Sequence, residues 1–149
     1  METETIAAIA ALSQNGSISI LRVSGPEALF SVSKIFFKKN KDSVFEPYDL
    51  TLLPTHTIHY GYICSLDDVC STDLPVIDEV LVLIMRAPKS YTTEDVVEIH
   101  CHGGGFIAGK ILELLLKKGV RLAKPGEFTK RAYLHGRIDL TQAESVMEV

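Results

Sequence analysis

Residues 98–111 read EIHCHGGGFIAGKI, and the stretch brings several chemistries within reach of one another. His100 and His102 are two apart, so on a strand they share a face and could hold a metal ion, with Cys101 between them. A third ligand would have to come from His56, His59 or elsewhere, and no spacing nominates one. Gly104-x-x-x-x-Gly109-Lys110 approaches a phosphate-binding loop. That loop needs a Ser or Thr hydroxyl for Mg²⁺ after the lysine, and here the position is Ile111, expected to face the core. Gly103-x-Gly105-x-x-Ala108 approaches a dinucleotide fingerprint, but it lies late in the chain, and the next strand delivers Lys124 in place of an acid. HGGG is also found in the oxyanion-hole strip of lipases, which requires a Gly-x-Ser-x-Gly that this chain lacks. The glycines are therefore expected to serve the backbone, turning the chain sharply and letting a helix pack closely. The two histidines read as a pair on a partly exposed strand end.

Two charged residues pose a sharper question. Glu98 sits among Val96, Val97 and Ile99. It is either a carboxylate facing solvent or one held in a pocket, where it would accept two N–H donors from a planar heterocycle. Arg22 lies within ILRVSG, at the end of an otherwise apolar strand. If buried there, it requires an anionic or carbonyl partner.

The elements that must carry these residues follow from periodicity and punctuation. Ser17–Val23 reads as a strand after the Asn15-Gly16 turn signal. Pro26 opens a helix expected to run to about Phe37, with Ala28, Leu29, Val32, Ile35 and Phe36 as its apolar face. A charged loop is expected at 38–42, irregular chain at 43–55, a strand at 56–64, and a hairpin or loop excursion at 65–77. Residues 79–85, EVLVLIM, read as a buried central strand. A loop at 87–93 precedes a strand at 95–102, and a helix follows with Ile107, Ile111, Leu114 and Leu115 on one side and Gly119 as its stop. A short strand at 120–123, a compact helical turn over KPGEFTKRAYLHG, and a further helix from Leu140 complete the reading. The last helix has no stop before Val149, so the sequence is expected to be part of a longer protein.

Bulk properties bound the function. The 149 residues suit one domain with a real core, and 46% hydrophobic with 23% charged residues is ordinary for a globular protein. A formal charge of −4 argues against a strong footprint for nucleic acid on this chain. No apolar run approaches the ~20 residues of a membrane span. Cys64, Cys70 and Cys101 form no CxxC pair and leave one thiol over in any disulfide scheme, a usage that fits a reducing cytoplasm.

APKSYTTEDVVEIHCHGG, followed by RLAKPGEFTKRAYLHGRIDLTQAE, resembles the N-terminal domain of the MnmE (TrmE) tRNA-modification GTPase family, and TIAAIA…GSISILRVSG is similar to that family's first strand. The resemblance implies an α+β fold, a mixed sheet with helices packed on it, similar to the tetrahydrofolate-binding fold of the glycine-cleavage T protein. It implies a folate-binding and dimerisation domain over residues 1–137 and the start of a central helical domain over 138–149. The cofactor would be a tetrahydrofolate derivative, 5-formyl- or 5,10-methylene-tetrahydrofolate, contacted by Arg22, Glu98 and Arg137, with no metal and no catalytic residue in this part. The longer protein would form a homodimer, use GTP, Mg²⁺ and K⁺, and act in the cytoplasm. With the FAD-dependent partner MnmG it would build the (carboxymethyl)aminomethyl group at C5 of the wobble uridine of tRNA. The chain departs from the family pattern at AALSQNG, at Thr93 where Gly is common, and at His135 where Asn is common. Two readings of other classes stand beside this one: a structural dimerisation module whose folate pocket no longer works, and a metal hydrolase built on the histidine pair.

Overall fold

A computed structural model describes residues 4–13, 15, 17–65 and 76–147. One mixed sheet of eight strands organises the chain. The strands are β1 (Ile6–Ala11), β2 (Ile18–Ser24), β3 (Phe36–Lys39), β4 (Phe45–Pro47), β5 (Thr57–Cys64), β6 (Val76–Met85), β7 (Val96–His102) and β8 (Arg121–Leu122). Their order in space is β4-β3-β5-β6-β7-β2-β1-β8. All neighbours are antiparallel except β8, which runs parallel to β1. The helices are α1 (Ala28–Ser33), α2 (Gly105–Lys117), α3 (Glu127–Leu134) and α4 (Leu140–Met147). The expected α+β class with a mixed sheet is what the chain forms.

Strand alternation sorts the side chains onto two faces. On one face Leu21, Val23, Val80, Val82, Ile84, Val97, Ile99 and Cys101 pack against Ala28, Leu29 and Val32 of α1 and Ala108, Ile111, Leu114 and Leu115 of α2. These helices show the expected stripe because their apolar residues recur three and four apart. The opposite face is covered at one end by the 87–94 loop and α3. Elsewhere it leaves Ile18, Ile58, Tyr60 and Leu81 exposed. The EVLVLIM run is thus central in the sheet, but only Val80, Val82 and Ile84 are fully buried, Leu83 and Met85 are partly so, and Leu81 is exposed. The expectation of a strand buried on both sides is corrected.

Several boundaries differ from the expectation, for identifiable reasons. The first helix ends at Ser33 and not near Phe37. Ser33 Oγ donates back to Leu29 O at 2.7 Å and accepts the Leu50 N–H at 2.9 Å, which fixes the exit. Phe36 and Phe37 then enter β3, paired with Ile63 and Tyr62, as aromatic residues favour strands. Phe36 lies against Gly61, where a Cβ would come within 2.5 Å of the ring, so that strand position admits only glycine. Lys38 and Lys39, expected in a loop, belong to β3, and β4 lies within the stretch read as irregular. His56 precedes its strand with φ 59°. β6 begins at Val76, before the expected Glu79; the rest of the expected 65–77 excursion, residues 66–75, lies outside the described residues. Of the three consecutive glycines only Gly103 (φ 75°) needs its conformational freedom, because a Cβ at Gly104 or Gly105 would make only ordinary contacts. Close helix packing is not their role.

Candidate functional site

Arg22 and Glu98 stand directly opposite each other on β2 and β7, on the face away from α1 and α2. Each answers the question the other raised. Arg22 Nη2 and Nε donate to Glu98 Oε2 at 3.2 and 3.3 Å, and His100 Nε2 lies 3.3 Å from Glu98 Oε1. The carboxylate is therefore engaged at both oxygens, yet it is not sealed off: side-chain exposure is 26% for Arg22 and 18% for Glu98, enough for a ligand to reach the group. Two aromatic rings flank the guanidinium, Tyr91 at 5.7 Å and Phe128 at 5.4 Å from ring centroid to Arg22 Cζ. A planar cation, a carboxylate, an imidazole and two rings at one strand crossing form a surface suited to a flat heterocycle with donors along one edge.

The loop and helix supplying the two rings are fixed by a buried polar network. Arg131 Nη1 donates to Glu94 Oε1 at 2.9 Å, and Ser24 Oγ reaches the same oxygen at 2.8 Å and Thr92 Oγ1 at 2.7 Å. Arg131 is only 5% exposed. On its outer side Glu127 accepts from Arg131 at 3.4 Å and from Arg121 Nη1 at 3.0 Å, and Arg121 also pairs with Glu4. The hydrogen bonds from Arg121 hold the Glu127 carboxyl down to about 2, aided by the Lys124 N–H, against the opposing effect of burial. Four residues of KPGEFTKRA thereby acquire roles. Gly126 takes φ 72° at the helix start, Glu127 and Arg131 lock α3 to the sheet, and Phe128 faces Arg22.

Arg137 is placed differently. It follows α3 in an exposed turn, donates its backbone N–H to Ala132 O at 2.8 Å, and makes no side-chain hydrogen bond or ion pair among the described residues. It lines an open cavity of about 520 Å³ with His56, Pro88, Lys89, Ser90 and Tyr91. Tyr91 is thus common to the cavity and to the Arg22 cluster. The sequence reading missed Tyr91, Phe128 and the role of His100: Phe128 comes from a helix remote from both strands, and Tyr91 from a loop that leads into β7 but must fold back to reach Arg22 on β2. A signal for His100 was present: it shares a strand face with Glu98 two residues away.

The remaining motifs resolve individually. His102 turns to Asp78, its Nδ1 3.1 Å from Oδ1, so the two histidines have separate partners. Ile111 is fully buried and Lys110 lies over the Phe106 ring at 5.1 Å, an arrangement with no hydroxyl for Mg²⁺. Cys64 and Cys101 are buried free thiols, each pushed up to about 11 by desolvation. Cys70 lies outside the described residues. The start of α4 carries a capping box that DLTQ spelled out in the sequence: Asp139 Oδ1 accepts the Gln142 N–H at 2.7 Å and Gln142 Oε1 accepts the Asp139 N–H at 2.9 Å. Among the described helices none is long and apolar enough to cross a membrane.

Comparison with known proteins gives the same direction. Relatives called tRNA modification GTPase MnmE match along the whole chain: 53% identity in Bacillus cytotoxicus, 52% in Lachnoclostridium phytofermentans and 53% in Bacillus anthracis. In each case the match covers 30% of the relative, so the chain spans about a third of their length. Residues 5–137 match the family model described as GTP-binding protein TrmE N-terminus. The chain therefore belongs to the TrmE N-terminal family and corresponds to the N-terminal part of a tRNA modification GTPase.

Proposed function

We propose that the chain binds a reduced folate on the open face of its sheet, as the N-terminal part of a homodimeric enzyme that modifies the wobble uridine of tRNA together with MnmG. The observation that carries this reading is the Arg22–Glu98–His100 cluster, partly buried but reachable from solvent and flanked by Tyr91 and Phe128. A pterin offers a flat ring for the aromatic walls and an amino-pyrimidinone edge whose N–H groups suit the Glu98 carboxylate. Arg22 would take the carbonyl side of the ring with donors it now gives to Glu98. Arg137 would meet the ligand further along, beyond Tyr91. The bound folate would supply a one-carbon unit to the reaction. Nucleotide chemistry, with GTP, Mg²⁺ and K⁺, belongs in this reading to the longer protein and not to GGFIAGK.

Dimerisation fits the same face. Ile18, Ile58, Tyr60 and Leu81 form an apolar strip beside the cluster, and a two-fold axis there would bring the two folate sites near the subunit boundary. Light scattering checks this: a dimer mass is expected, and Leu81→Glu should yield monomers. A monomeric wild type would overturn it.

One observation favours a second reading. Arg22 and Glu98 satisfy each other across the strands, as a purely structural pair in a dimerisation module would. Calorimetric titration with 5-formyl-tetrahydrofolate separates the two. Glu98→Ala should weaken binding by about 1.5–3 kcal/mol if the carboxylate holds the ring. Equal affinity for wild type and variant would remove Glu98 from the site, and absence of wild-type binding would leave the structural module standing.

A further inference from the structure

We infer that the cavity formed by His56, Pro88, Lys89, Ser90, Tyr91 and Arg137 is a carboxylate receptor that selects folates carrying a γ-linked polyglutamate tail. The inference rests on the folate reading above and extends it to the substrate form. The cavity, about 520 Å³, is lined by three basic residues and no acidic one, on a chain whose formal charge is −4.

The basic groups around it are not equivalent. Arg86, one turn of loop away, spends its donors on the chain itself: Nη2 and Nε bond the Thr51 and Leu53 carbonyls at 2.6–2.8 Å, which holds the 51–53 segment in place. Lys89 and Arg137 make no such bonds among the described residues, and both are exposed. His56 gives Nδ1 to Thr55 Oγ1 at 2.8 Å, which leaves Nε2 for another partner. Nearby acids are already committed: Asp95 Oδ1 accepts the Ala87 N–H at 2.8 Å, and Glu94 holds Arg131. Lys89 and Arg137 are thus left without internal anions among the described residues, while the Nε and Nη2 of a neighbouring arginine are bound to carbonyls.

Tyr91 sets the direction. Its ring stands 5.7 Å from the Arg22 guanidinium and also lines the cavity. A ligand with its ring system at Glu98 and its tail passing Tyr91 arrives at Lys89 and Arg137. A planar guanidinium takes a carboxylate through two parallel bonds, and an ammonium on a flexible stem follows a second one wherever the tail places it. A tail with several carboxylates matches several unspent cations better than a single glutamate does.

The test compares 5-formyl-tetrahydrofolate as its monoglutamate and triglutamate, titrated into the wild-type protein, Lys89→Gln and Arg137→Gln at two ionic strengths. The wild type is expected to bind the triglutamate about tenfold more tightly, as for one extra charge-assisted contact, with the preference shrinking at high salt. Lys89→Gln should abolish that preference while lowering monoglutamate affinity by no more than about threefold. Equal wild-type affinity for the two forms, or a preference unchanged in Lys89→Gln, would overturn the inference and leave the folate reading intact. Failure of the wild type to bind either form would instead overturn the folate reading, and this inference with it.

Discussion

Two arginine–glutamate pairs lie side by side in this domain and do different work. Arg131–Glu94 closes at 2.9 Å with side-chain exposures of 7% and 9%, and Ser24, Thr92 and Glu127 satisfy the remaining valences. Arg22–Glu98 closes at 3.2 Å with exposures of 26% and 18%, and beside it lie an imidazole and two rings. Both draw on β2, Ser24 in one case and Arg22 in the other, two residues apart on the same face. The difference is the cover. Where α3 and the loop seal the sheet, a charged pair is structure; where they stop, the same chemistry is presented outward. Burial, not residue type, separates the fastening from the candidate site.

The sharpest way to break this comparison is to cut each pair. Arg131→Ala leaves Glu94 buried without its cation and should cost about 3–5 kcal/mol of stability, read by denaturant unfolding. A loss near that of a surface pair would mean that the network is not what fixes α3. Acid attacks the same assembly from its outer side. Glu127 has a folded-state value lowered to about 2 from an ordinary 4.5, so its contribution is present above pH 4.5 and lost as pH falls towards 2. Unfolding followed over that window should lose part of its pH dependence in Glu127→Gln. The open pair should behave in the opposite way. Glu98→Ala is expected to change stability by no more than about 1 kcal/mol, since the pair is partly screened by water, while folate affinity falls as stated above. A stability loss as large as that of Arg131→Ala would make the two pairs alike and remove the distinction.

The smallest effect sharpens the boundary between the regions. Thr93 sits between Thr92 and Glu94 of the closed network, next but one to Tyr91, and holds φ 67°, a conformation costly for a β-branched residue. Thr93→Gly should relieve that strain and, after the extra freedom gained by the unfolded chain, stabilise the protein by about 0.5–1 kcal/mol. Destabilisation would show that the threonine side chain contributes more than its backbone costs. His135, another departure from the family pattern, has Nδ1 2.7 Å from Thr92 O, so these two of the three departures bear on the same loop.

Much of this was written in the sequence. Alternation and short apolar runs specify β2, β5, β6 and β7, three-and-four spacing specifies α2, and the PGEF-to-QAE motif specifies the family, because each depends on neighbours along the chain. DLTQ declares the α4 cap for the same reason. The long-range decisions were not legible. Phe36 fits a helical stripe as well as a strand, and the Ser33 hydroxyl bridging Leu29 and Leu50 is what ends the helix early. EVLVLIM has the hydrophobicity of a doubly buried strand, and only the placement of α1 and α2 decides which side is covered. Arg22 and Glu98 are 76 residues apart, and nothing local to either says that the other stands across the sheet. Register across strands brings them together, and α3, locked by Arg131, sets Phe128 beside them. A sequence states what each residue requires; the fold alone decides which residue meets that requirement, since partners are chosen by burial and register among groups distant in the chain.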